Sequence, residues 1–164
     1  KSAVLGNPKE GFKQFLQTLT SGRITIGALS IGTAQGAFNK ALLYSKEREA
    51  FGKAINNFQG ISFKLADMAT QIEAARHLVY HVAWMKDQGM SVIREASMAK
   101  LFASEVAMKV TTEAIQVLGG FGYIKEYDVE RFFRDAKILE IGEGTSEIQR
   151  IIISKEILES IQSI

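Results

Sequence analysis

The sequence has no cysteine, so disulfides, thiolate metal sites and thiol nucleophiles are all excluded, and any chemistry must use other groups. That absence suits a reducing compartment. There is one proline, Pro8, and nothing beyond it forbids helix. No stretch approaches the roughly 18 uninterrupted apolar residues that a membrane-spanning helix needs, so the chain reads as soluble. Neither sign of charge dominates. Lys and Arg are interleaved with Asp and Glu to a net charge of +2, which gives no reason to expect nucleic acid as a partner. The opening Lys1-Ser2-Ala3-Val4 carries neither an initiator Met nor a signal-peptide pattern, and reads as a start within a longer protein.

A chain of 164 residues suits one domain, taken here as 1–164, and folding at this size buries roughly 70% of the surface the unfolded chain exposes. Apolar residues recur at three and four rather than at two, so the chain reads as all-α. Asn7 can cap a first helix, with Pro8 at its first position and Glu10 reaching back to complete a capping box. Phe12, Phe15, Leu16 and Leu19 make one stripe, continued by Ile26, Leu29, Ala34, Phe38, Ala41 and Leu42. Gly22, Gly27, Gly32 and Gly36 interrupt it at roughly 1 kcal/mol each relative to Ala, which close helix packing or a ligand against the backbone would explain.

Tyr44 to Asn57 reads as a connector. A second helix follows through Phe58, Ile61, Leu65, Met68, Ile72, Val79 and Val82 to a cap at Gly89. Ser91 can cap a third, carrying Ile93, Met98, Leu101, Phe102, Val106 and Val110 and ending before Gly119-Gly120-Phe121-Gly122. Asp128 can start a short fourth helix to about Ala136. A last helix begins near Thr145, where Ser146 and Gln149 could form a capping box, and runs on through Ile148, Ile151, Ile152 and Ile157. Long helices on short turns favour an up-and-down bundle of four main helices.

The most informative segment is Ile141-Gly142-Glu143-Gly144-Thr145-Ser146-Glu147-Ile148-Gln149-Arg150, a carboxylate between two glycines just before a helix. A carboxylate that serves as base toward a carbon acid works best where water exclusion raises its pKa, while an adjacent helix N-terminus favours the ionised form. The residues alone leave that balance open, and on its own Glu-Gly-Thr also reads as a turn and cap.

This ten-residue stretch resembles the signature near the end of acyl-CoA dehydrogenases. Gly22-Arg23-Ile24, Arg48-Glu49-Ala50-Phe51-Gly52 with Phe58-Gln59, and Gln116-Val117-Leu118-Gly119-Gly120-Phe121-Gly122-Tyr123 follow the family's order and approximate spacing. So do Leu5-Gly6 and Gly11-Phe12 at the entry to its C-terminal helical domain. The resemblance implies an FAD enzyme that converts a saturated acyl-CoA to its trans-2-enoyl-CoA, with Glu143 removing the α-proton while the β-hydride passes to flavin N5. By the same resemblance Arg48 pairs with the FAD pyrophosphate of a neighbouring subunit, and Phe51 and Gln59 line the FAD site. Gln116, Gly119 and Gly120 then lie at its adenosine end, Thr145 and Glu147 touch FAD beside the base, and Gly144 contacts the thioester region.

Arg23 matches an arginine of the family's acyl-CoA pocket, and Thr20 stands where many relatives carry an Asp that contacts the CoA part. Isovaleryl and long-chain members place the base immediately before that arginine. Here that position is Gly22, so the chain resembles the short- and medium-chain arrangement. The resemblance further implies an electron-transfer flavoprotein as partner, a dimer or dimer of dimers, and a location in the bacterial cytoplasm or mitochondrial matrix. It also implies absent N-terminal helical and middle β-domains, without which the chain is expected to be inactive alone.

Two other classes compete: a non-catalytic helical oligomerisation module, and an acyl-CoA oxidase of the same fold. Glu73, His77 and His81 share a helix face at i, i+4 and i+8, but two turns of helix are too long for all three to meet one ion, and no metal is expected.

Overall fold

The computed structural model describes residues 4–161. Six helices are present among them: α1 (Gly11–Glu47), α2 (Gln59–Asp87), α3 (Ile93–Leu118), α4 (Gly120–Tyr123), α5 (Val129–Ile141) and α6 (Ser146–Ile161). Between α1 and α2 lies a two-stranded antiparallel hairpin, β1 (Glu49–Ala50) and β2 (Lys53–Ala54), with Ala50 opposite Lys53. The bundle runs up and down. Gly27 and Gln35 of α1 face Val79 and Arg76 of α2, and Gly36 faces Phe132 of α5 while Lys40 pairs with Asp128 just before α5, so α2 and α5 both run antiparallel to α1. α3 lies at the centre and touches α1, α2, α5 and α6. α1, α2, α3 and α5 form the expected four-helix bundle, and α6 packs along α3 as a fifth rod.

The core differs from the large-residue stripe the sequence suggests. On α3 Val106 and Val110 are buried as expected, but most of the buried apolar face is alanine (Ala96, Ala99, Ala103, Ala107 and Ala114), while Ile93 and Phe102 stay exposed. On α1 the buried face is Gly27, Ser30, Ile31, Ala34, Ala37, Ala41 and Ser45, with Arg23 toward its start, while Phe12, Phe15, Leu16 and Leu29 stay exposed. Small side chains on both helices let the backbones approach closely, and the larger Met68, Ile72, Val79 and Val82 of α2 fill in from the third side. The stripe of Phe12, Phe15 and Leu16 is exposed among the described residues, because α1 outruns its neighbours: Lys86, at the end of α2, already bonds to Ser21.

Helix ends also depart from expectation. Asn7 accepts from Lys9 N–H at 3.4 Å, but α1 begins only at Gly11, with Glu10 at the N-cap and no side-chain cap. α3 starts after Val92, also without a side-chain cap, so Ser91 does not serve as one. Gly89 does end α2 as expected. It adopts φ +74°, and the bonds Gly89 N–H to Lys86 O (2.9 Å) and Met90 N–H to Met85 O (3.1 Å) close a Schellman motif. α5 runs to Ile141, beyond Ala136.

Gly27 marks the close approach of α1 to α2. A Cβ there would meet Val79 Cγ2 at 2.9 Å, whereas one at Gly32 would meet nothing within 4 Å. Gly27→Val is therefore expected to destabilise by about 1–3 kcal/mol through overpacking and to lower the thermal midpoint by roughly 3–10 °C. Gly32→Val, scanned beside it, is expected to leave the midpoint nearly unchanged.

Candidate active site

α5 closes with Gly142 N–H on Ile138 O (2.7 Å), after which the chain turns through Glu143 (φ +55°) and Gly144 (φ +96°) into α6. Left-handed geometry is ordinary for Gly144 but uncommon for a residue with a side chain. The turn is held from inside. Lys100 Nζ, from α3, donates to Gly144 O at 2.9 Å. Gln149 Nε2, from α6, donates to Gly144 O at 2.9 Å and to Glu143 O at 3.2 Å. Both residues are fully buried. Gln149 is thus no capping-box partner for Ser146. Thr145 precedes the helix instead, its Oγ1 accepting from Ile148 N–H at 3.4 Å.

The turn directs the Glu143 carboxylate at α1. A Cβ on Gly22 would lie 2.6 Å from Oε2 and 2.9 Å from Cδ, so the carboxylate occupies the space that a side chain would take. Arg23 is buried beside it with no partner for its Nε. Burial pushes the Arg23 guanidinium down from its ordinary value, and the Glu143 carboxylate pushes back. Thr20, just upstream, bonds its hydroxyl to Leu16 O at 3.1 Å. The Glu147 carboxylate is held below its ordinary value by its own backbone N–H, then by the Thr145 hydroxyl. Glu143, Gly144, Thr145, Glu147 and Arg23 therefore gather around one turn. Glu143 itself remains exposed on the bundle's face.

The other sequence-predicted residues form a second group at the far end of α1. A groove of about 590 Å³ is lined by Arg48, Phe51, Gln116, Gly119 and Gly120, together with Tyr44, Phe58 and Phe121, aromatic residues to which the sequence assigned no role in the site. The Arg48 guanidinium sits 5.7 Å from the Phe121 ring centroid. Phe51 and Gly52 (φ +52° and +80°) make the two-residue hairpin turn, a type I′ geometry that normally selects Asn or Gly first. A bulky residue held there is strained, and Phe51 is 97% exposed. A Cβ on Gly119 or Gly120 would meet no atom within 4 Å, so both leave backbone bare to the groove. Gln59 opens α2 next to Phe58 and does not itself line the groove. At 1.5 Å per residue the stretch of α1 from Arg23 to Arg48 spans roughly 37 Å, which keeps the two groups apart within one chain.

The histidines do not converge. His77 Nε2 pairs with Glu73 Oε1 at 3.2 Å, and His81 stacks on Trp84 with 5.8 Å between centroids. Among the described residues no cluster of three His, Asp or Glu could hold a metal ion.

A family model described as acyl-CoA dehydrogenase, C-terminal domain, matches residues 9–158. The chain belongs to the acyl-CoA dehydrogenase family. It is 56% identical over 156 residues to the probable acyl-CoA dehydrogenase YngJ of Bacillus subtilis, covering 95% of this chain and 41% of that protein. It is 48% identical to the caffeyl-CoA reductase–Etf complex subunit CarC of Acetobacterium woodii, covering 97% of this chain and 42% of the relative. The structure of butyryl-CoA dehydrogenase from Megasphaera elsdenii superposes with a TM-score of 0.92 at 51% identity, covering 94% of this chain and 40% of that one. The chain thus spans about two fifths of the length of the relatives it matches.

For an acyl-CoA dehydrogenase the contact at Gly22 is informative, because it joins the two chain positions at which the resemblance puts the base in different members. Placing a methyl at Gly22 conflicts with the far end of a flexible side chain and with nothing rigid. In the full-length enzyme, Gly22→Ala is expected to keep or raise the thermal midpoint, since Ala favours helix by up to about 1 kcal/mol over Gly. It is expected to slow substrate-induced flavin bleaching about tenfold or more by displacing the Glu143 carboxylate.

Proposed function

We propose that this domain supplies the base and part of the acyl pocket for FAD-dependent α,β-dehydrogenation of a saturated acyl-CoA, with Glu143 as the residue that takes the α-proton. The observation that carries this reading is the Glu143 turn: a carboxylate in a conformation that favours glycine, fixed by two buried donors and laid against α1 beside a buried arginine. A module built only to oligomerise has no use for such strain at one acidic residue.

FAD, when bound, provides the acceptor for the β-hydride. An unactivated β-carbon releases hydride only as the α-proton leaves, so the chain's own task is to hold a proton acceptor at the α-carbon and keep it in line. Because Glu143 is exposed on the bundle, the exclusion of water from it must come from the substrate and from whatever else covers that face.

The far groove suits the other end of the cofactor. A guanidinium that stays charged and can donate two parallel hydrogen bonds fits a pyrophosphate, and Arg48 stands at the rim of an apolar cleft with bare glycine backbone and several rings. The roughly 37 Å from Arg23 to Arg48 exceeds the reach of one FAD. We therefore assign the two groups to different FAD molecules in a dimer or dimer of dimers, one chain's Arg48 reaching the flavin nucleotide of its neighbour. Transfer of the electrons to an electron-transfer flavoprotein, in the bacterial cytoplasm or the mitochondrial matrix, completes the reading. The relative from Acetobacterium woodii is named as part of a complex with such a protein.

In the full-length enzyme, Glu143→Gln is expected to retain yellow FAD and to lose substrate-induced bleaching by roughly 10²–10⁴-fold. Bleaching at the parental rate would remove Glu143 from the role. Arg48→Ala is expected to release FAD on dialysis and to loosen the oligomer, followed by absorbance at the flavin band and by size; an unchanged FAD content would count against the pyrophosphate contact.

A further inference from the structure

Lys100 is fully buried in the middle of α3, has no ion-pair partner among the described residues, and makes one hydrogen bond, to Gly144 O. Gln149 is equally buried, uses its amide nitrogen on the same carbonyl, and leaves Oε1 without a partner. Burying an ammonium without a carboxylate costs several kcal/mol, and a methionine of similar length would avoid that cost. Gly144 O would still be satisfied by Gln149. Fold stability therefore does not account for a lysine at this position, and its one contact lies on the residue after the proposed base.

We propose that Lys100 and Gln149 are positioning residues for Glu143, their donors converging from α3 and α6 on the Gly144 carbonyl to lock the left-handed turn that aims the carboxylate at α1. Two donors on one carbonyl occupy both of its lone pairs and fix the peptide plane between Gly144 and Thr145, and the second bond from Gln149 to Glu143 O fixes the plane before it. On the entry side the bond from Gly142 N–H to Ile138 O (2.7 Å) ties the turn to α5, so Glu143 is anchored both before and after, and its side chain leaves toward Gly22. Burial also pushes the Lys100 ammonium down from its ordinary value, with Arg23 adding to that and Glu140, Glu147 and Glu143 opposing it, but donation to a carbonyl needs only an N–H.

The inference rests on Glu143 being the base, and the test separates the two claims. The full-length FAD enzyme is compared with Lys100→Met, Gln149→Leu and Glu143→Gln. The readout is exchange of α-hydrogens with D₂O, followed by NMR, in an acyl-CoA carrying sulfur in place of the β-carbon, which can lose the α-proton but has no β-hydride to give. Binding of the same compound and the thermal midpoint are measured alongside. Lys100→Met and Gln149→Leu are expected to slow exchange roughly 10- to 100-fold while binding changes by less than about threefold. The Lys100→Met midpoint is expected to stay level or rise. Exchange within about twofold of the parent in either folded variant overturns the proposal. So does loss of FAD or folding in both variants, which would make the pair structural supports. Should Glu143→Gln exchange normally, the base assignment itself fails; should it be silent while Lys100→Met exchanges normally, only the positioning role fails.

Discussion

Gly22 has no side chain, and the Glu143 carboxylate fills the space where one would be. That contact can form only because the turn after α5 is delivered to the same level of α1 as Arg23, and it is the packing of small residues between α1 and α3 that sets the level. Ala34, Ala37 and Ala41 on one helix and Ala99, Ala103 and Ala107 on the other are all but absent from the surface. Each buries little area, yet together they bring two backbones close enough for a lysine of α3 to reach the turn beneath α1. Larger residues on this seam would push α1 outward and open the gap that the carboxylate now bridges.

Polar burial is concentrated at the same place. Among the described residues the buried side-chain atoms without partners belong to Arg23, Ser146 and Gln149, and all three residues border the Glu143 turn. Elsewhere the core is alanine, valine, leucine, isoleucine and methionine, with buried hydroxyls such as Ser30, Ser97 and Thr111 bonded back to their own helices. Unsatisfied polar atoms and a positive φ on a glutamate are each costly, and they persist where surrounding packing over-determines them. Phe51 and Asp128 also take positive φ, but it is only at the Glu143 turn that such a residue coincides with buried orphan atoms among the described residues, the pattern expected where structure serves chemistry.

The architecture was legible because its signals are long-range and redundant: one early proline, three-and-four spacing throughout, and Gly89 where α2 had to stop. The turn itself was legible because two glycines flank a carboxylate. What the sequence hid is what depends on neighbours in space. Alanine faces carry almost no hydrophobic contrast, so the reading weighted Ile93 and Phe102, which face outward, over Ala99 and Ala103, which form the seam. The caps proposed at Asn7 and Ser91 compete with starts that tertiary packing sets at Gly11 and Ile93. The hairpin at Phe51-Gly52 lacks the Asn-Gly signature and so read as plain connector. Lys100 drew no notice and Gln149 read as a capping-box partner, because nothing in their local sequence tells that the chain folds back over them.

The length of α1 links the two sites. A single helix of 37 residues carries Gly22 and Arg23 about a third of the way along and Arg48 just past its end, so the distance between the proposed proton acceptor and the proposed phosphate-binding cation is set by hydrogen-bonded turns rather than by flexible loops. Such a rod cannot bend the two groups onto one dinucleotide. It can present them to two at a fixed spacing, provided a second chain lies alongside in a matching arrangement. The exposure of Phe51 and Arg48 at one end, and of Glu143 and the first turns of α1 at the other, then has a common cause. On the proposed assignment each is half of a site whose other half belongs to a different surface, and the bundle's rigidity would let those halves meet in register.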